Sequence, residues 1–160
     1  MKNIILTANG TQKADLVLKN ASIVNVFTES IEVGDVAITD GKIVGIGRYE
    51  GKIEKDMTGR FVCPGFIDGH IHLESSMVTP SEFARAVIAH GTTAVITDPH
   101  EIANVAGCDG ITYMMQATKD LPLDVFFMVP SCVPATDLDE SGACLNADDI
   151  TPFYNCLLYT

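Results

Sequence analysis

The stretch Pro64-Gly65-Phe66-Ile67-Asp68-Gly69-His70-Ile71-His72 constrains this chain more than any other. Side chains alternate faces along a strand, so Phe66, Asp68, His70 and His72 would share one side and Ile67, Gly69 and Ile71 the other. Two imidazoles two residues apart, near the end of a strand entered through a Pro-Gly turn, can offer neutral ring nitrogens to one divalent cation. Asp68 would support them from behind. The spacing alone leaves a solvated His-Ile-His loop open as the alternative, because so short a pattern has many accidental matches.

From this stretch onward the chain reads as strand, helix, strand. Thr79-Pro80-Ser81-Glu82 is a helix start, with Thr79 as N-cap, Pro80 in the first turn and Glu82 closing a capping box. Phe83, Ala86, Val87 and His90 fall on one face, Gly91 ends the helix, and Thr92 to Thr97 is a β-branched run. Parallel strands of this kind are buried on both faces and carry ligands at their carboxyl ends, where His70 and His72 sit. A second unit comes next, in which Asp109-Gly110 opens a helix bearing Ile111, Met114, Met115 and Thr118 at helical spacing, ending before Pro122. The methionine pair reads as core packing. Val125 to Val129 is then a third strand, with Ser131-Cys132 just past its carboxyl end.

The exit of the second strand carries the other reactive cluster. Asp98 and His100 share strand parity and Pro99 stops the ladder, so Asp98, His100 and Glu101 project at the same rim as His70 and His72. They could serve as metal ligands, proton carriers or substrate contacts. Local work is the alternative: Asp98 bonding nearby backbone amides, Glu101 capping a helical turn. His90, at a helix C-terminus, has a structural reading through the helix dipole.

Ahead of this α/β portion, Ala14 to Val62 has an all-β texture. Asp15 to Leu18, Ser22 to Phe27, Ile31 to Ile38 and Lys42 to Ile46 are short Val- and Ile-rich runs, and Asp40-Gly41 is a tight hairpin signal. The alternation of Val36 and Ile38 with Ala37 and Thr39 implies a sheet with one face on a core, one half of a sandwich. Lys42 and Glu54 read as solvated charges. The texture changes between Met57 and Pro64, so the expected domains are a β-sandwich portion over 1–62 and an α/β portion over 63–160.

The run from Pro64 to His72 resembles the first barrel strand of the amidohydrolase superfamily. Leu73-Glu74-Ser75-Ser76-Met77, the segment from Thr97 to Gly107 (TDPHEIANVAG) and the segment from Leu121 to Thr136 (LPLDVFFMVPSCVPAT) together resemble its adenine deaminase branch. The likeness runs from about Ala14 to Phe153. It implies the amino-terminal part of a metal-dependent hydrolase: a composite β-sandwich, then the first three βα units of an incomplete TIM-like (β/α)8 barrel. The implied reaction takes adenine and water to hypoxanthine and ammonia by attack of metal-activated hydroxide at C6, a carboxylate passing the proton to the leaving nitrogen. The implied cofactor is a divalent metal, manganese before iron or zinc, binuclear in the complete enzyme. His70 and His72 match the family's first ligand pair. On the same likeness Asp98, His100 and Glu101 are catalytic, second-metal or substrate residues, and Glu74 and Ser131 belong to substrate loops. Two other readings stand beside this one. A cyclic-amide hydrolase of the dihydroorotase or hydantoinase kind would bring a lysine on its fourth strand; a non-catalytic remnant would bring no chemistry.

Composition sets the outer limits. A net charge of -11 argues against nucleic-acid phosphates and anionic membranes as partners and suits a small neutral substrate such as adenine. The first ten residues hold one Lys and a brief Ile-Ile-Leu run, too short for a signal peptide, so the expected location is cytoplasmic. Cys63, Cys108, Cys132, Cys144 and Cys156 include no CxxC and read as reduced thiols, with Cys63 and Cys132 as small buried hydrophobes. A complete enzyme of this kind could form a homo-oligomer.

Fewer than 100 residues lie beyond Pro64, against about 250 for eight strands with their helices. Three strands are therefore expected, and the ligands that relatives take from later strands are absent. The last residues, Asn155-Cys156-Leu157-Leu158-Tyr159-Thr160, leave the family pattern, as a frameshift, a gene-model break or a true truncation would cause. Catalytic metal sites normally use three or more protein ligands, and an unclosed sheet exposes strand edges and apolar faces. The isolated polypeptide is therefore predicted to be poorly soluble and inactive on adenine. Ammonia release by the chain purified with manganese, abolished by changes at His70 and His72, is the result that overturns this.

Overall fold

The structure is a computed structural model that describes residues 1–155; Cys156 and the rest of the closing tail lie outside them. The chain divides into two compact units, Met1–Pro64 and Gly65–Thr160.

The first unit opens with α1 (Lys2–Ala8), which the short apolar run had not suggested as a helix. Thr7 is its buried residue, and Thr39 Oγ1 donates to Thr7 Oγ1 at 3.2 Å. After it come β1 (Ala14–Asn25), β2 (Ser30–Thr39), β3 (Lys42–Gly47), β4 (Gly51–Asp56) and β5 (Phe61–Val62). They form one sheet in the order β3-β2-β1-β4, with β5 also paired to β1. The two expected strands over Asp15–Leu18 and Ser22–Phe27 are one strand interrupted by a bulge. Its register against β2 slips between Leu18 and Ala21, and Asn20 absorbs the extra residue at φ 58°, a left-handed conformation that Asn tolerates better than most residues. Asp40 and Gly41 both have positive φ, 53° and 70°, as a two-residue hairpin between right-twisted strands requires.

One ion pair holds this bulge. Lys19 Nζ lies 2.6 Å from Asp35 Oδ2 and also donates to the Tyr49 carbonyl at 2.9 Å. Asp35 accepts from the Asn20 amide at 3.0 Å and the Tyr49 amide at 3.3 Å. Asp35 is buried. Desolvation pushes its pKa up, but the bond from Lys19 and the two backbone amides together outweigh it and hold the carboxyl below its ordinary value.

In the second unit β6 (Phe66–Ile71) leads through a 3-10 turn (Glu74–Ser76) to α2 (Pro80–Ile88), β7 (Thr92–Thr97), α3 (His100–Ala117), β8 (Asp124–Phe127), α4 (Ala147–Ile150) and a 3-10 turn (Thr151–Asn155). β6, β7 and β8 form a parallel sheet in that order. Leu73, Phe83, Ala84, Val95, Met114, Leu123 and Phe127 make one core cluster. Ala103, Ile111, Val133 and Phe153 make another.

Several local expectations change. Thr79 is the N-cap of α2, but its side chain makes no capping bond; its Oγ1 pairs with Ser81 Oγ, and Glu82 is drawn instead to Arg85 at 3.0 Å. The helix buries Pro80, Phe83 and Ala84, while Ala86 and His90 are exposed. The expected helix from Asp109 begins nine residues earlier, at His100, and is broken at Gly107, whose φ of 59° and ψ of -141° are not helical. β6 is exposed along nearly its whole length, with Phe66 at 61% and Ile67 at 66%. Burial on both faces needs neighbours that an edge strand lacks. Cys63 and Cys132 are exposed rather than buried, since the strands stop short of both. No helix among the described residues is long and apolar enough to cross a membrane.

Replacing Asp35 with Ala removes three acceptor bonds and strands the Lys19 ammonium, so a loss of about 2–4 kcal/mol is expected in urea unfolding. Because the folded carboxyl has the lower pKa, its contribution is complete above the unfolded value of about 3.9 and disappears as pH falls through the folded one. Asp35→Asn should flatten that acid dependence; an unchanged acid limb would remove Asp35 as its source.

Candidate metal centre

The site is built where β6 and β7 end. The ladder closes with Ile71 opposite Thr97, and the Asp98 amide donates to the Ile71 carbonyl at 3.1 Å. Three residues of β6 span two of β7 between Asp68 and Ile71, a bulge, so simple alternation does not carry through to His72. The histidines nevertheless converge, with His70 Nε2 3.2 Å from His72 Nε2.

The tautomer of His72 is set by its other nitrogen. Nδ1 lies 2.8 Å from the Asp98 carbonyl oxygen, which can only accept, so Nδ1 carries the proton and Nε2 presents its lone pair. His100 stacks edge-on to His72 with ring centroids 4.6 Å apart, and its Nδ1 lies 3.2 Å from Asp98 Oδ2. Ligand atoms of His70, His72 and Asp98 lie within 4.8 Å of one another, as do those of His72, His100 and Glu101.

These donors fit a divalent cation. Two nitrogens 3.2 Å apart subtend about 100° at an ion about 2.1 Å from each. Among the described residues the buried side-chain oxygens without a protein partner are Glu74 Oε2, Thr97 Oγ1 and Asp98 Oδ1. All three belong to the ends of β6 and β7 or the residues just beyond. A buried carboxylate oxygen without a donor is costly, and at Asp98, beside the histidines, a cation would relieve it. Imidazole with carboxylate suits manganese, iron or zinc alike.

The remaining expected residues fall in different places. Asp68 Oδ1 accepts from the His70 backbone amide at 3.1 Å, so this oxygen braces the main chain that carries the first histidine. Glu74 Oε1 accepts from the Ile102 amide at 3.2 Å, at the start of α3. Ser131 is exposed beyond β8 and is not among the side chains brought together. Sequence reasoning passed over Ser75, whose Oγ donates to Glu101 Oε1 at 2.6 Å; only its place beside Glu74 in the loop after the histidines could have marked it. A broad concavity of about 1150 Å³ lies in the first unit, lined by Lys19, Asp35 and Tyr49 among others. Its buried ion pair is already bonded internally, so it competes poorly with the histidine cluster as a reactive centre.

Residues 61–154 match the amidohydrolase family. The adenine deaminase of Geobacillus kaustophilus is 58% identical over 97% of this chain and 27% of its own length. That of Clostridium acetobutylicum is 62% identical over 89% of this chain and 25% of its own. The chain thus spans about a quarter of the length of these curated relatives. Among solved structures, the N-acyl-D-glutamate deacylase of Bordetella bronchiseptica, complexed with zinc and a phosphonate inhibitor, superposes with TM-score 0.55 at 19% identity, over 74% of this chain and 30% of its own. A D-hydantoinase from Thermus sp. gives 0.54 at 24%, over 70% and 26%. At such identities the two structures speak for the fold.

The Asp98 carbonyl should hold neutral His72 in the Nδ1–H tautomer. Long-range nitrogen-proton correlation spectra of the metal-free chain at about pH 8.5 read this directly. An Nε2–H signature for His72 would remove the geometric basis of the centre.

Proposed function

This chain belongs to the amidohydrolase family, and we propose that it carries the metal-binding portion of an adenine deaminase, which takes adenine and water to hypoxanthine and ammonia. The observation that carries the reading is the convergence of the His70 and His72 ring nitrogens at 3.2 Å, with His72 oriented by the Asp98 carbonyl. High identity to adenine deaminases supports adenine as the substrate.

His70, His72 and Asp98 would hold a divalent metal, for which manganese is the first choice, and the Glu101 carboxylate beside His72 would add its negative charge to the same site. When bound, such an ion lowers the pKa of water so that a nucleophile is available near neutral pH. The rest falls to the side chains. His100, paired through Nδ1 with Asp98 Oδ2, keeps its Nε2 for proton exchange, and Glu101 offers a carboxylate beside it. In the reaction a water oxygen bonds to C6, the bond from C6 to the exocyclic nitrogen breaks, one water proton ends on ring N1 and the other travels to the departing nitrogen. His100 and Glu101 are the groups that would accept and return it.

The two donor triplets share His72. Since Nδ1 is committed to the Asp98 carbonyl, the open nitrogen of His72 serves one cation. Among the described residues the donors therefore gather around one site, and a binuclear centre would draw its second set of donors from elsewhere.

A chimera tests the assignment, with residues 1–154 replacing the matching segment of the Geobacillus kaustophilus enzyme. Ammonia release from adenine with manganese should persist, and His70→Ala or His72→Ala should lower kcat at least about a hundredfold. A folded chimera that binds manganese but leaves adenine untouched refutes the substrate.

A further inference from the structure

The 3-10 turn Glu74–Ser76 makes two bonds to the start of α3. Glu74 Oε1 accepts the Ile102 amide at 3.2 Å, and Ser75 Oγ donates to Glu101 Oε1 at 2.6 Å. α3 itself begins at His100 behind Pro99, and no side chain at its N-cap position makes a capping bond. The first helical amides of a helix lack intrahelical partners. Glu74 supplies an acceptor for one of them from a different segment, and its negative charge meets the positive end of the helix dipole.

The consequence is geometric. His72 lies two residues before Glu74, while His100 and Glu101 are the first two residues of α3. Nothing within α3 determines how far His100 and Glu101 stand from His72. Their mutual placement rests on bonds that cross between the two segments. Two run through Asp98, whose amide reaches the Ile71 carbonyl and whose carbonyl receives His72 Nδ1; two more come from Glu74 and Ser75. The Ser75 bond goes further, because it engages one oxygen of Glu101, Oε1, and so restrains the rotation of a carboxylate grouped with His72 and His100.

We propose that Glu74 and Ser75 are positioning residues for the cation site: Glu74 docks the start of α3 against the His-Ile-His loop, and Ser75 orients the Glu101 carboxylate. Neither belongs to the donor set. Ligand atoms of Glu74 do not fall within the two donor groups, and Ser75 acts through Glu101. This rests on the metal-centre reading above, and the test separates the two.

The test is manganese titration of the metal-free chain by calorimetry, with cobalt(II) absorption spectra as a second readout of coordination. Ser75→Ala should weaken manganese binding about tenfold and alter the cobalt bands, with the circular dichroism melt of the metal-free chain unchanged. Ser75→Thr, which keeps the hydroxyl, should recover affinity to within about threefold of the original. In a Glu101→Gln background, the same Ser75→Ala change should have little further effect, because the carboxylate it orients is gone. Glu74→Ala should weaken binding about tenfold, and Glu74→Gln, which still accepts from Ile102, should cost about threefold or less. Unaltered affinity in Ser75→Ala overturns the proposal, as does an equal loss with and without the Glu101 carboxylate, since that would reflect general loosening. If the unmodified chain takes up no manganese, the metal-centre reading fails and this one with it. If it binds and His72→Ala abolishes binding while the Glu74 and Ser75 variants bind normally, the positioning role alone is refuted.

Discussion

The last rung of the β6–β7 ladder is the contact from which the reactive cluster hangs. The Asp98 amide reaches the Ile71 carbonyl, and the Asp98 carbonyl then receives His72 Nδ1–H. One residue's main chain thus bonds the neighbouring strand on one side and an imidazole on the other. Main-chain geometry is stiffer than any side chain, so the tautomer and bearing of His72 are set by the sheet. The bulge between Asp68 and Ile71 is part of the same arrangement, because bulges near sheet ends re-aim the residues beyond them.

Around that rung, polar atoms divide into satisfied and waiting. Asp35 in the first unit shows the satisfied case: buried, and matched by an ammonium and two amides. Asp98 shows the other, with Oδ2 on His100 and Oδ1 buried without a protein donor. A stable fold does not leave such an oxygen uncompensated without reason. The contrast distinguishes a carboxylate that builds a sheet from one that serves a ligand, although the two residue types are identical.

Much of this was legible in the chain. Proline, glycine and the β-branched runs placed three parallel strands after Pro64, and Asp40-Gly41 gave its hairpin, because those signals act within a few residues. The convergence of His70 and His72 also survived, though strict alternation was the wrong route to it. The features that could not be read are those that depend on a distant partner. Asn20 turns left-handed because Asp35 waits for its amide. Asp68 bonds the His70 amide at the point where the β6 register shifts. Glu82 leaves its cap for Arg85, and Ser75 finds Glu101, 26 residues away. The parallel strand-helix-strand pattern suggested burial on both faces, but burial depends on neighbouring strands, and among the described residues β6 has one.

The break at Gly107 has a consequence for how this molecule can change. Its left-handed backbone, with Ala143 3.3 Å from where a β-carbon would sit, interrupts α3 between the portion bearing His100 and Glu101 and the portion packing Ile111 and Met114 into the interior. A change in one length therefore reaches the other through side chains and not along a continuous backbone ladder, because Ala103 of the outer length packs with Ile111 of the inner. Whatever reshapes the interior is felt at the imidazole through that shared packing.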